Sequence, residues 1–445
     1  MAEASAEAVP AAEKKAAGEG KEIEEISKSL AKKDVSEEEE DKPAPVGVRL
    51  EGHLTSDTKF EDFITKEDLL RGIRQKGWST PSQIQALSLP IILGTKEAKK
   101  KNLIAQAKTG SGKTGAFALG ILQTVDARSA APQALVVCHT RELAIQSASE
   151  IRKLSEFMEG LKIAECVNTD GRKVAISGQV VVGTPGTLLK SLTPPLCAKM
   201  KMVIFDEADM MFEEGNFKDS SIKIVKMLRS PQVLLFSATY TEKVTNFCER
   251  YIHNPETIRI SEDKLSIDTI WHVTVDVKTP KNRLDCLRDL LQDVALGSTI
   301  IFANRKDTVK EVAEEMRERG VAVSVFHGGM TPEERTKAYN LFIENKTTML
   351  VATDVLSRGI DNPTVNMVVN YDMPNVKYDA VRTYLHRTGR TGRFGHGGVA
   401  INFLYGSQSQ EILESVEQKY KIEFVSVDKD NLEEIGKFLK KPKNA

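Results

Sequence analysis

Leu103-Ile104-Ala105-Gln106-Ala107-Lys108-Thr109-Gly110-Ser111-Gly112-Lys113-Thr114 is the stretch whose reading decides the fold. An apolar run, Leu103 to Ala105, makes a short buried strand, and a helical pattern begins near Thr114. Between them, Gly110 and Gly112 let the backbone curl. Its N–H groups and the N-terminus of the next helix then converge on one point, an arrangement that holds phosphate oxygens. Lys108, Thr109, Ser111 and the two glycines form the cradle, Lys113 meets the β- and γ-phosphates, and the Thr114 hydroxyl reaches a Mg²⁺ ion. Ala107 stands where such loops usually open with glycine.

A strand, a phosphate loop and a helix form the first unit of a parallel sheet wrapped by helices, and the pattern continues outward. Apolar runs at Ala134 to Cys138, Val180 to Val182, Met202 to Phe205 and Val233 to Phe236 predict further strands, with helices beginning near Arg141, Ser220 and Glu242. A polar, acidic break at Ser261 to Asp268 precedes a second series. Its predicted strands are Trp271 to Val275, Thr299 to Phe302, Val323 to Phe326, Met349 to Ala352, Val365 to Val369 and Val399 to Phe403. The expected organisation is two tandem α/β domains, 53–260 and 269–445, joined by a linker at 261–268. No short sequence repeat relates them.

The chain has 445 residues, 40% hydrophobic and 28% charged, with near-ordinary glycine and proline, which excludes collagen-like and wholly disordered chains. Its net charge of −1 conceals an asymmetry. The first 50 residues carry 8 basic and 13 acidic side chains, so the rest carries 54 and 50. Residues 1–52 read as an acidic, mostly disordered extension. Within it, Ile23, Ile26 and Leu30 recur at helical spacing over 21–33, a candidate short docking helix. The five cysteines show no Cys-x-x-Cys spacing and are read as reduced core thiols. Without a signal-like or membrane-length apolar run, the expectation is a soluble intracellular protein.

Asp206, ninety-three residues after Lys113, lies in Met202-Val203-Ile204-Phe205-Asp206-Glu207-Ala208-Asp209. The apolar run delivers its carboxylates to the carboxyl edge of the sheet, where open α/β sheets bind ligands. Asp206 is placed to hold Mg²⁺ through water, and Glu207 to polarise an attacking water. Alone, these two motifs imply a nucleotide hydrolase.

Further along, the chain resembles the DEAD-box RNA helicases over about residues 60 to 440. The resemblance is carried, in order, by Gly77 to Gln85, the phosphate loop, Thr140-Arg141-Glu142-Leu143-Ala144, Thr184-Pro185-Gly186-Thr187, Asp206 to Asp209, Ser237-Ala238-Thr239, Ile301-Phe302-Ala303, Ala352 to Asp361 and His386 to Arg393. It implies two RecA-like domains, ATP with Mg²⁺, and RNA bound without reading its sequence. It further implies that Gln85 reads the adenine edge, Phe60 stacks on the ring, Asp361 contacts the ribose and Gly359 is a close-approach backbone donor. Arg390 and Arg393 resemble arginine fingers that reach the γ-phosphate from the second domain. Ser237, Thr239 and His386 are similar to the family's interdomain coupling set. Thr140, Arg141, Thr184, Gly186, Arg335 and Thr353 are implied RNA contacts.

Departures from the family pattern narrow the resemblance. The paired glycines usual near Asn168 to Arg172 are missing, Thr187 replaces an arginine, His139 stands where proline is usual, and Pro332 replaces the glutamine three before Arg335. The first two, with extra residues between Pro374 and Tyr384, resemble the mRNA-export subgroup acting at the nuclear pore. That subgroup implies a nuclear and cytoplasmic protein, a cytoplasmic nucleoporin on the first domain and an activator dependent on inositol hexakisphosphate on the second. The helix at 21–33 is then a candidate inhibitory wedge. The expected activity is RNA-dependent ATP hydrolysis that unwinds short duplexes or remodels RNA–protein complexes. An ATP-gated RNA clamp or a translation-related factor with little unwinding is the alternative.

Overall fold

Counting strands from one within each of two sheets gives the same order twice. The computed structural model describes residues 58–107, 110–167, 172–213, 217–260, 270–293, 297–356, 362, 364–375, 380–392 and 397–440. The first sheet has β1 (Asn102–Gln106), β2 (Ala134–Cys138), β3 (Ile163–Cys166), β4 (Val180–Gly183), β5 (Met202–Asp206), β6 (Gln232–Ser237) and β7 (Pro255–Arg259), in the order β3-β4-β2-β5-β6-β1-β7. The second has β8 (Ile270–Asp276), β9 (Ser298–Phe302), β10 (Val323–Phe326), β11 (Met349–Ala352), β12 (Val365–Asn370), β13 (Gly398–Leu404) and β14 (Phe424–Ser426), in the order β10-β11-β9-β12-β13-β8-β14. Every pairing is parallel. The fold is thus α/β, two tandem RecA-like domains, repeated in topology though not in sequence.

Parallel sheets covered on both faces need strands that are apolar throughout. Ala134 to Cys138 of β2 are all 0% exposed. Ala134, Val136 and Cys138 join one core with Phe117, and Leu135 and Val137 join a second core with Phe205 and Phe247 on the opposite face. Each such side chain contributes about 1.5–3 kcal/mol by leaving water. The second sheet is divided in the same way, with Ile301 in one core and Ile300 and Phe302 in another. The five cysteines are free thiols buried in these layers.

The first lobe's helices are α1 (Glu67–Gln75), α2 (Gln83–Leu93), α3 (Lys113–Thr124), α4 (Arg141–Leu154), α5 (Pro185–Ser191), α6 (Pro194–Cys197), α7 (Ala208–Glu213), α8 (Phe217–Met227) and α9 (Glu242–Tyr251). Those of the second are α10 (Asn282–Asp293), α11 (Lys306–Glu318), α12 (Pro332–Ile343), α13 (Ala380–Thr388), α14 (Gly406–Tyr420) and α15 (Ile435–Lys440). Local chemistry sets their starts. Ser82 and Gln85 form a capping box at α2, and the Thr140 hydroxyl accepts from the Leu143 N–H at α4. Thr331 and Glu334 box α12, whose first residue, Pro332, gives up an N–H that no helix start can use. The predicted start near Ser220 moves to Phe217, and β3, β7 and β14 are edge or near-edge strands that the sequence reading omits.

The extension 1–52 with its helix 21–33, the linker 261–268 and the site residues Lys108, Thr109, Gly359, Asp361 and Arg393 lie outside the described residues. Among those described, no helix is long and apolar enough to cross a membrane.

Candidate active site

β5, β6 and β1 are neighbours in the first sheet, so the segments leaving their carboxyl ends meet. Gln106 of β1 pairs with Ser237 of β6, and the Ala107 N–H donates to the Ser237 carbonyl at 3.0 Å, tying the start of the phosphate loop to the Ser237–Thr239 turn. Gly110 and Gly112 take φ of 80° and 98°, left-handed values that side chains rarely adopt. A Cβ on Gly112 would also stand 2.7 Å from Ser82 Oγ and 2.9 Å from Gln85 Nε2. Gln85 therefore clasps the loop: its Nε2 donates to the Gly112 carbonyl at 3.3 Å, while its Oε1 accepts from the Ser82 N–H at 2.9 Å. One amide N–H and one lone pair remain for a ligand.

Phe60 is 2% exposed, stacks on Trp78 at 6.2 Å and belongs to the first core. As it stands the ring is a wall under the Gln85 corner rather than an open stacking platform. It opens a short 3₁₀ turn and belongs to the core that also holds Leu69 and Ile73 of α1 and Ile84 and Leu89 of α2.

Lys113 opens α3, and its buried Nζ donates to the Ala107 carbonyl at 2.5 Å. Burial pushes its ammonium pKa down, the carboxylates of Asp206, Glu207 and Asp209 work the other way, and Arg390 adds to the fall. That last influence reaches across from the second lobe. Ser111 Oγ is buried in the loop without a hydrogen-bond partner among the described residues, as suits an atom that meets a ligand. Thr114 follows on the first turn of the helix.

Asp206 ends β5, fully surrounded, and its carboxyl is pushed up to about 7 by burial first and by the charge of Glu207 second, against the pull of Lys113. A divalent cation at this strand end would remove that penalty, so the donor set suits a hard metal ion. Glu207 holds φ at 51°, a left-handed conformation costing a side-chain-bearing residue about 1–2 kcal/mol, and its N–H donates to Asp206 Oδ1 at 3.0 Å. Glu207 Oε2 lies 3.4 Å from His139 Nδ1, because Cys138 pairs with Asp206 and so sets the next residues of both strands side by side. A single sequence gives no signal for that contact beyond the oddity of His139 itself.

Ser237 and Thr239 bind the remaining acid. The Asp209 N–H donates to Ser237 Oγ at 3.2 Å, Ser237 Oγ donates to the Thr239 carbonyl at 2.7 Å, and Thr239 donates to Asp209 Oδ2 through its N–H at 3.2 Å and its hydroxyl at 2.8 Å. From the second lobe, Arg382 of α13 sits 2.6 Å from the same Oδ2. Arg390 is buried just past the end of α13, its Nε donating to the His386 carbonyl at 2.9 Å. Arg387 turns the other way. Its guanidinium grips Asp354, Asn304, Asn370 and the Asp372 carbonyl within its own lobe and is fully buried over Phe302. The sequence reading gives neither Arg382 nor Arg387 a role.

The implied RNA residues stand at helix starts, on a helix and after a strand of the two lobes. Thr140 and Arg141 begin α4; Thr184 and the exposed Gly186 begin α5, with open space where a Gly186 side chain would stand. Thr184 Oγ1 bonds Thr187 Oγ1 at 3.3 Å, so the unusual Thr187 is a partner for its neighbour. Arg335 lies on α12, and Thr353, whose buried Oγ1 has no hydrogen-bond partner, follows β11.

A phosphate loop and a strand-end acidic motif on one lobe, with Arg382 of a second lobe of the same fold in contact with that motif, define a two-lobed nucleotide hydrolase. The DEAD/DEAH box helicase model matches residues 82–247, and the helicase conserved C-terminal domain model matches 282–395. ATP-dependent RNA helicase DBP5 of Saccharomyces cerevisiae is 35% identical over 395 residues, 87% of this chain and 81% of that protein. The chain belongs to the DEAD-box family of ATP-dependent RNA helicases. Among solved structures, S. cerevisiae Dbp5 bound to RNA and ADP BeF3 superposes with a TM-score of 0.79 at 34% identity, covering 86% of this chain and 99% of that one. The complex of a point variant of S. cerevisiae Dbp5 with Nup159, a point variant of Gle1, IP6 and ADP gives 0.63 at 33% identity, with 84% and 100% covered.

Proposed function

We propose that this chain is an RNA-dependent ATPase that closes two domains, 53–260 and 269–445, on ATP and single-stranded RNA, locally parts short duplexes or strips protein from RNA, and reopens after hydrolysis. The observation that carries this reading is that Arg382 of the second lobe stands 2.6 Å from Asp209, in the acidic motif of the first, so the two lobes meet at the site. Hydrolysis then waits for closure. Gln85 with its spare amide atoms selects adenine, and Phe60 backs that corner. Lys108 to Lys113 cradle the phosphates. Gly359 and Asp361 approach from the second domain. Glu207 orients the attacking water, and Arg390 and Arg393 meet the charge that develops on the γ-phosphate.

Thr114 and Asp206, the latter through water, would hold Mg²⁺, which supplies charge neutralisation between the β- and γ-phosphates. Ser237, Thr239 and His386 couple this site to the RNA side. Thr140, Arg141, Thr184, Gly186, Arg335 and Thr353 contact sugar and phosphate, so binding is indifferent to base sequence. The likeness to a Dbp5 complex containing Nup159, Gle1 and IP6 supports a role in mRNA export. It suggests a place in nucleus and cytoplasm, at the cytoplasmic face of the pore, a nucleoporin partner and an activator dependent on inositol hexakisphosphate.

The test is steady-state ATPase of the purified chain with single-stranded RNA, with DNA of the same sequence, and with neither. RNA is expected to raise kcat at least tenfold and DNA far less. Equal stimulation overturns the RNA preference, and no stimulation overturns the whole reading.

A further inference from the structure

α13 is tied to both lobes at once, and three residues on one face of it point at the first lobe. Positions 382, 386 and 390 recur every four residues, which keeps them on one side of a helical turn. The turn continues past Thr388 through the Gly389 N–H to the Leu385 carbonyl at 2.8 Å and the Arg390 N–H to the Arg387 carbonyl at 3.2 Å. Arg382 meets Asp209 at 2.6 Å and lies 3.2 Å from Met210 Sδ. His386 is close enough for its charge to act on Asp209, and Arg390 for its own to act on Lys113. On the other side, Arg387 fixes the helix to its own lobe.

We propose that Arg382 is a positioning residue for ATP hydrolysis, its ion pair with Asp209 formed on closure and setting the helix so that Arg390 reaches the terminal phosphate. This rests on the function proposed above and adds the part that makes closure exact to the residue.

The physical case lies in what each charge loses. The side chains of Asp209 and Arg382 are 1% and 7% exposed where the lobes meet, so the pair is held out of water. From within the first lobe Thr239 gives Asp209 two hydrogen bonds and the Met210 N–H a third at 3.0 Å, and none of these neutral donors cancels the charge of a buried anion. Burial alone would push that carboxyl upward; Arg382, then His386 and Thr239, hold it instead far below its usual range. Closure without the guanidinium leaves a buried carboxylate that is hydrogen-bonded but has lost the counter-charge in contact with it. Closure with it is close to neutral in energy, yet only in one register, which is the known use of such pairs. Arg390 lies eight residues on, about 12 Å along the helix, so a small rotation at Arg382 displaces the finger.

The experiment uses the full chain with Glu159→Cys and Glu417→Cys labelled with a dye pair. Both positions are exposed and the native thiols buried. Energy transfer reports closure with ADP·BeF3 and oligouridylate, alongside RNA-stimulated kcat and the KM for ATP. R382Q is expected to lower the closure equilibrium constant at least tenfold and kcat in proportion, with the affinity of a fluorescent ADP and the melting midpoint unchanged. R382K should recover part of the closure. R382Q closing and turning over like the parent overturns this proposal alone. Loss of ADP affinity or melting midpoint together with closure also overturns it, by showing a merely structural role. A parent chain that neither closes nor responds to RNA overturns the functional reading with it.

Discussion

Arg335 of the second lobe stands 3.3 Å from Glu142 of the first, and their sequence neighbours reverse the contact, Arg141 facing Glu333 at 3.8 Å. Both arginines proposed to hold RNA are therefore met by a carboxylate from across the cleft, and an arriving phosphate competes with it. Glu333 is the more exposed carboxylate, at 70%, where such a pair is worth only about 0.2–1 kcal/mol. Glu333→Gln is expected to tighten RNA binding roughly two- to fivefold at low salt, a gain that fades as ionic strength rises. Fluorescence anisotropy with labelled oligouridylate in the presence of ADP·BeF3 checks this, and unchanged or weaker binding contradicts it.

Gly112 is held twice, by its backbone angle and by the nearness of Ser82 and Gln85. Gly112→Ala costs about 1–2 kcal/mol for the left-handed backbone alone, and it pushes Gln85 off the loop. The expected result is at least a tenfold loss of ATP affinity with a small fall in melting temperature. A nucleotide titration of the variant that matches the parent rejects the clasp.

Arg390 supplies a charge used only as the phosphate transfers. Arg390→Gln should therefore lower kcat by about 10³–10⁵, some 4–7 kcal/mol of transition-state stabilisation, and leave the KM for ATP within a few-fold. Single-turnover rates at saturating ATP and RNA make the measurement. A loss confined to KM would place Arg390 in ground-state binding instead.

Lys113 is a buried cation that stability alone would not select. Lys113→Met keeps its length and removes the charge. Hydrolysis should fall at least a hundredfold on the reading that the phosphate loop is the catalytic site, while the melting midpoint stays level or rises. A comparable fall in midpoint would make the ammonium structural.

Much of this architecture is legible without coordinates, for a physical reason. Strands buried on both faces must be apolar throughout, so β2, β5 and β9 announce themselves as short hydrophobic runs, and the phosphate loop fixes where one of them ends. Edge strands escape the same reading. β3 carries Glu165, half-exposed, and β7 begins with Pro255 and is buried chiefly at Ile258, so neither has the continuous pattern. Long-range pairings escape it too. Arg382 is an unremarked arginine until the fold brings Asp209, 173 residues earlier, to within 2.6 Å. Phe60 shows the limit from the other side, since the motif position is visible in the sequence but the ring's burial against Trp78 is not.

The central claim is that one lobe grips the triphosphate and the other completes the chemistry. A crystal structure of the full chain with ADP·BeF3 and single-stranded RNA tests it most directly. The account predicts the Arg390 guanidinium at about 3 Å from the beryllium fluoride, opposite Lys113, with Arg382 still on Asp209. Arg390 lying beyond hydrogen-bonding reach of that group in the fully liganded state would contradict it.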